Sequence, residues 1–115
     1  MVKRKEEMTK DLKVNMRGGD GQVLVTDIVS KGEYNGKARL IGTLTLEPNC
    51  SIGSHVHENE EEIFYIIEGT ATYFDNGETV TLNAGDSCVC LHGQTHSIAN
   101  RTSETLKVFA VILTY

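Results

Sequence analysis

Short apolar-rich segments, each halted by turn-forming residues, fill this chain from residue 22 to its end, and no stretch carries the 3.6-residue apolar period of a sustained amphipathic helix. That rhythm predicts strands over residues 23–29, 38–46, 61–67, 70–74, 79–82, 87–91, 95–100 and 106–114. The interruptions have turn chemistry: Gly18-Gly19-Asp20-Gly21, Glu47-Pro48-Asn49 and Asn83-Ala84-Gly85-Asp86. Asp75-Asn76-Gly77-Glu78 is the sharpest of them, because Asn and Gly both accept positive φ and Asn-Gly is the strongest short hairpin signal. With the segment that bears His55 and His57, nine or ten strands are expected, a spacing that suits a β-sandwich or small barrel. In 61–67, Glu62, Phe64 and Ile66 share one face and Ile63, Tyr65 and Ile67 the other. Both faces are apolar, which predicts burial on both sides. Residues 1–16 are polar and weakly patterned, with a helical turn expected around residues 6–12.

A chain of 115 residues is one domain. Its net charge of −5 argues against a general nucleic-acid binder, and Lys3-Arg4-Lys5 is offset at once by Glu6-Glu7. No apolar stretch approaches the length of a membrane span, and the N-terminus lacks the apolar segment of a signal peptide, so a cytoplasmic protein is expected. Three cysteines, Cys50, Cys88 and Cys90, are an odd number for a disulfide framework. Cys88 and Cys90 are two apart and share one strand face, where small buried apolar residues are the plainest reading and a redox or metal role the alternative.

All four histidines fall in two short clusters, His55-Val56-His57 and His92-Gly93-Gln94-Thr95-His96, and a carboxylate-rich run follows the first. His-x-His on a strand puts both rings on one face, close enough to chelate one ion. Glu62 shares its face with Phe64 and Ile66, so its carboxylate points toward a barrel interior, where a cation would offset the cost of burial. His96 shares a face with Ile98 and can point inward too. Each residue alone is as readily a surface or satisfied core group, and Glu58, Glu60, Glu61 and Glu62 alone are as readily a solvated acidic loop. Together, His55, His57, Glu62 and His96 predict a site for one divalent metal.

These residues, with the turns that follow them, resemble the two motifs of the cupin superfamily. The first motif has a glycine, five residues, His-x-His, three or four residues, Glu, six residues and Gly; Asn49, His55, His57, Glu62 and Gly69 stand in those places. The second has Gly, five residues, Pro-x-Gly, two residues, His, three residues and Asn; Gly85, Leu91, Gly93, His96 and Asn100 occupy its positions. Asn49 replaces a glycine but tolerates a left-handed turn nearly as well. Leu91 replaces the proline, which loosens the turn before His96 without removing a ligand. The lead-in Met16-Arg17-Gly18-Gly19-Asp20-Gly21 is similar to small bacterial cupins related to manganese-containing, oxalate-binding proteins.

The resemblance implies an all-β, double-stranded β-helix of the jelly-roll-like barrel type over residues 22–115, with His55, His57, Glu62 and His96 holding the metal in its mouth. It also implies a homodimer whose interface includes the N-terminal segment, residues 1–21. Residues 58–61 would be the loop before the ligand strand. His92 receives no ligand role and is read as a turn residue, with proton handling as the alternative. Four protein ligands leave positions for water or a chelator on an octahedral ion, and manganese, iron, nickel, cobalt and zinc all suit the donor set. Oxalate decarboxylase-like chemistry makes a small carboxylate or oxygenated metabolite the expected ligand. A lyase (decarboxylase), dioxygenase or isomerase is the leading expectation, and a non-catalytic binding or sensing module is the alternative. Arg17 and Arg39 could anchor an anion, or be surface residues.

Overall fold

The computed structural model describes residues 1–115 and contains ten strands: β1 (Thr9–Val14), β2 (Gln22–Asp27), β3 (Ala38–Leu46), β4 (Ser51–Val56), β5 (Glu60–Glu68), β6 (Thr70–Asp75), β7 (Glu78–Asn83), β8 (Ser87–Cys90), β9 (Thr95–Ala99) and β10 (Leu106–Thr114). Helical structure is confined to two 3-10 turns, Lys5–Glu7 and Met16–Gly18. The strands form two antiparallel sheets, ordered β1-β2-β3-β10-β5-β8 and β4-β9-β6-β7. This is the double-stranded β-helix that the motifs implied.

The core lies between the sheets and follows the period of two. Leu106, Val108, Ala110 and Ile112 of β10 point inward beside Leu44 and Leu46 of β3 and Phe64 and Ile66 of β5. Ile52, Ala71, Tyr73 and Ile98 face them from the second sheet. Each fully buried aliphatic side chain contributes about 1.5–3 kcal/mol, so these central strands hold the barrel together. They also fix where Glu62 lies, two residues along the inner face from Phe64.

Three expectations need correction. Residues 9–14 form a strand paired with β2 rather than part of a helical turn; its residues are all exposed, which is why apolar periodicity is absent there. The outward face of β5 is not buried: Tyr65 is 46% and Ile67 45% exposed. They point away from the barrel, so their apolar character has no partner within one chain. Glu60 and Glu61 belong to β5 rather than to a loop before it.

The turns follow their chemistry. Asn76 and Gly77 have φ of 44° and 105° and join β6 to β7 at the Asp75–Glu78 pair. Asn49, in place of the motif glycine, takes φ of 67°. The turn that lacks the motif proline is held instead by Gln94, whose backbone N–H donates to Leu91 O (3.0 Å) while its side-chain oxygen accepts from Leu91 N (2.9 Å).

Candidate metal centre

A local irregularity in β4 aims the first two histidines. Ile52 pairs with Ile98, and His55 with His96, so β4 advances three residues while β9 advances two. The extra residue, a bulge between Ile52 and His55, swaps the side-chain parity. Ile52 points into the core before it, and His55 and His57 point inward after it. His96 arrives from β9, and Glu62 from β5 of the facing sheet. His57 (1% exposed), His96 (1%) and Glu62 (5%) are buried, while His55 is partly open to solvent.

The donor atoms converge. Glu62 Oε1 lies 3.0 Å from His57 Nε2 and 3.2 Å from His96 Nε2. His96 Nε2 is 3.0 Å from His57 Nε2 and 3.2 Å from His55 Nε2. One ligand atom from each of the four residues fits within a span of 4.8 Å, so the group could hold one metal ion.

Hydrogen bonds on the far side of each ring decide which nitrogen faces the centre. His55 Nδ1 donates to Gly53 O at 2.7 Å, since a carbonyl can only accept. His57 Nδ1 donates to Glu60 Oε2 at 2.6 Å. His96 Nδ1 shares a hydrogen bond of 2.8 Å with the Tyr73 hydroxyl, which can donate or accept, and Phe64 stacks on its ring at 5.2 Å between centroids. With Nδ1 bonded on the far side of all three rings, each turns its Nε2 toward the centre, where a neutral imidazole presents a lone pair and a protonated one bonds to Glu62. Lone pairs and a carboxylate brought this close repel one another unless a cation or a proton lies between them. The donor set therefore fits a divalent ion.

The outer support has its own electrostatics. Arg39 grips Glu60 through two bonds of 2.7 Å, from Nε and Nη2, and Glu60 passes the constraint to His57. The Arg39 bonds, with help from His57, hold the Glu60 pKa down at about 2 despite burial. Because this value is below the ordinary 4.5, the contribution to stability is present in full above about pH 4.5 and lost as pH falls toward 2. Burial pushes the Glu62 carboxyl up, but its bonds to His57 and His96 outweigh that and leave it below the ordinary value. The bond to Glu62 raises the His57 pKa, whereas burial lowers that of His55.

Two outcomes follow from this shell. Replacing Glu60 by glutamine should weaken divalent-metal affinity by about ten- to a hundredfold, the usual effect of losing a partner behind a ligand, without unfolding the chain. Competition against a chromophoric chelator measures it. Metal affinity should also fall as pH drops through about 6.5, since protons compete for the imidazoles. The raised pKa of His57 makes it an early site of protonation. A manganese titration between pH 8 and pH 5 checks this, and a flat profile would contradict it.

A cavity of about 170 Å³ opens onto the centre, lined by His55, His57 and Glu62, by six apolar residues including Met16, Leu40 and Leu44, and by Lys13, Arg17 and Arg39. A larger polar groove of about 610 Å³ runs along 49–54 and 97–101 but includes none of the four donors. The chemistry converges on the smaller one.

All four residues expected from the sequence meet here. Arg17 and Arg39 are both exposed and both line the cavity. His92 lies elsewhere, in a turn, where Nδ1 accepts from Asn59 N at 2.8 Å. Cys88 and Cys90 lie on the inner face as free thiols, and burial pushes the pKa of each up to about 11. Glu60, Tyr73 and Lys13 are participants that sequence reasoning missed. Glu60 had a signal, since it is two residues from Glu62 and so shares its face. Tyr73 and Lys13 had none.

The chain is similar to known proteins in both sequence and fold. The family model described as a cupin domain matches residues 42–112. An oxalate-binding protein of Thermotoga maritima is 42% identical over 113 residues, covering 98% of this chain and 93% of the relative. Among solved structures, a predicted oxalate decarboxylase from Thermotoga maritima superposes with a TM-score of 0.94 at 42% identity over 100% of both chains. A polyketide cyclase from Streptomyces resistomycificus shares the fold alone, with a TM-score of 0.79 at 18% identity over 99% of this chain and 80% of its own.

Proposed function

This chain belongs to the cupin family, and on that premise we propose that it holds one divalent transition ion on His55, His57, Glu62 and His96 and binds a small anionic chelator there. The observation that carries this reading is the convergence of three imidazoles and one buried carboxylate, with one donor atom from each within 4.8 Å of the others. Manganese is the ion favoured by the resemblance to manganese-containing cupins, while three imidazoles and one carboxylate suit iron, nickel, cobalt and zinc as alternatives. When bound, such an ion would supply Lewis-acid chemistry to a chelating ligand. Oxalate or a short 2-oxo acid has the right chemistry, and the Thermotoga maritima relative is named for oxalate.

Binding without turnover is the reading that the cavity favours. Its one carboxylate, Glu62, and its two imidazoles, His55 and His57, would be taken up by the metal, and its remaining walls are apolar side chains and the cations Lys13, Arg17 and Arg39. Decarboxylation requires a proton delivered to carbon, and no uncommitted carboxylic acid faces the cavity. An enzyme of the decarboxylase class is the second reading, supported by the solved relative described as a predicted oxalate decarboxylase. Manganese-loaded protein incubated with carbon-13 oxalate separates the two. Saturable binding and a raised Tm without formate support the binding module. Formate above a metal-only control would make the protein a decarboxylase, and neither effect would overturn both readings.

A homodimer is part of the proposal. Phe109, Val111, Ile63, Tyr65, Ile67 and Val89 give the outer face of the six-stranded sheet an apolar surface, and β1 extends it with Leu12. Exposed apolar residues grouped on one sheet face, Tyr65, Ile67, Val89 and Leu12 among them, support an interaction surface there. Sedimentation should give the mass of two chains, and Tyr65→Glu should shift it toward one; a wild-type monomer would contradict the dimer. Three free thiols suit a reducing compartment and support the cytoplasm as its location.

A further inference from the structure

We propose that Arg17 anchors the ligand in the metal cavity and selects doubly charged chelators over singly charged ones. The proposal deepens the metal-chelator reading and rests on it. Three cations line the cavity, but two are already paired: Arg39 with Glu60 at 2.7 Å and Lys13 with Asp11 at 2.8 Å. Arg17 takes part in none of the ion pairs of the molecule. A divalent ion less the charge of Glu62 leaves one positive charge, and Arg17 adds a second. The cavity then matches a dianion. Its volume of about 170 Å³ has room for about five or six water molecules at about 30 Å³ each, the scale of a two- or three-carbon dicarboxylate.

The backbone holds Arg17 in place at a conformational cost. Its φ of 54° and ψ of 29° lie in the left-handed region, unusual for a long side chain and found where a fold enforces it. Enforcement comes from β4. A Cβ on Gly53 would collide with Arg17 O, and one on Gly19 with Ser51 O, so two glycines let the turn lie directly on the strand backbone. Asn15 N–H donates to Gly21 O (2.8 Å), its side-chain amide donates to Gly19 O (3.1 Å), and Asp20 N–H donates to Ser51 Oγ (2.8 Å). Met16, beside Arg17, packs against the core and lines the same cavity.

The test compares oxalate with glycolate, a chelator of similar size and single charge, on manganese-loaded wild type and the variants Arg17→Asn and Arg17→Lys. Asparagine tolerates the left-handed conformation, so the ligand-free Tm and the manganese content should stay the same or rise. Arg17→Asn should weaken oxalate by about tenfold or more and glycolate by less than about twofold, the difference being one charge-assisted carboxylate contact. Arg17→Lys should restore part of the oxalate affinity, though not the two-pronged geometry. Equal losses for both acids, or none for oxalate, would overturn the proposal while leaving the metal site intact. Failure of wild type to take up manganese would overturn the metal reading, and this proposal with it.

Discussion

Glu62→Ala should leave a folded chain that no longer retains a divalent ion, with affinity reduced by at least about a hundredfold, beyond the usual loss from an outer-shell partner. The carboxylate is the only anionic donor of the four, and it enters from the sheet facing the histidines. Without it, three neutral imidazoles remain and the ion loses both charge neutralisation and its tie between the sheets. Binding to the native state alone stabilises wild type by about 4 kcal/mol at a thousandfold excess of free ion over Kd. Manganese should therefore raise the Tm of wild type by several degrees and leave that of Glu62→Ala almost unmoved. Equal shifts in both proteins would remove Glu62 from the site. His57→Ala should behave alike, since His57 touches Glu62, His96 and Glu60 at once.

Asn100→Ala should cost about 3–4 kcal/mol of folding stability without touching the metal. Asn100 is fully buried, and its amide donates to Leu46 O (2.8 Å) and Glu104 O (2.7 Å). Its side-chain oxygen accepts from Thr102 N (3.0 Å) and Thr102 Oγ1 (2.8 Å). Alanine would strand several of these partners, at about 1–3 kcal/mol for each that stays buried and unsatisfied. Urea denaturation at matched metal content measures the loss, and a change below about 1 kcal/mol would show that water replaces the amide. The last residue of the second motif is thus a clasp for the loop between β9 and β10 rather than a ligand.

Much of this was legible in the sequence because turns and alternation are local. Asn76-Gly77 announced its hairpin, and the predicted bounds of β3 and β10 agree with the structure. β1 was not legible: it is an exposed strand whose pairing with β2 supplies what its own pattern lacks. The outer face of β5 misled for the opposite reason, since apolar alternation reports where contact is favoured and not whether the contact lies within one chain.

The site was legible through its four ligands and opaque in its support. Parity carried forward from Ile52 would turn His55 and His57 outward; the bulge that corrects it shows only in the pairing of β4 with β9. Arg39 reaches Glu60 across 21 positions and Tyr73 reaches His96 across 23, separations that no local period encodes. Arg17 depends on two glycines, one on either side of a backbone contact, which sequence displays as ordinary turn residues.

Anomalous X-ray diffraction from crystals grown with manganese would test the central claim most directly. A single strong peak per chain among His55, His57 and His96 Nε2 and the Glu62 carboxylate, at about 2.0–2.2 Å from each donor as for comparable first-row ions, is the predicted result. Saturating manganese with no peak there, or a peak only at surface carboxylates, would contradict it.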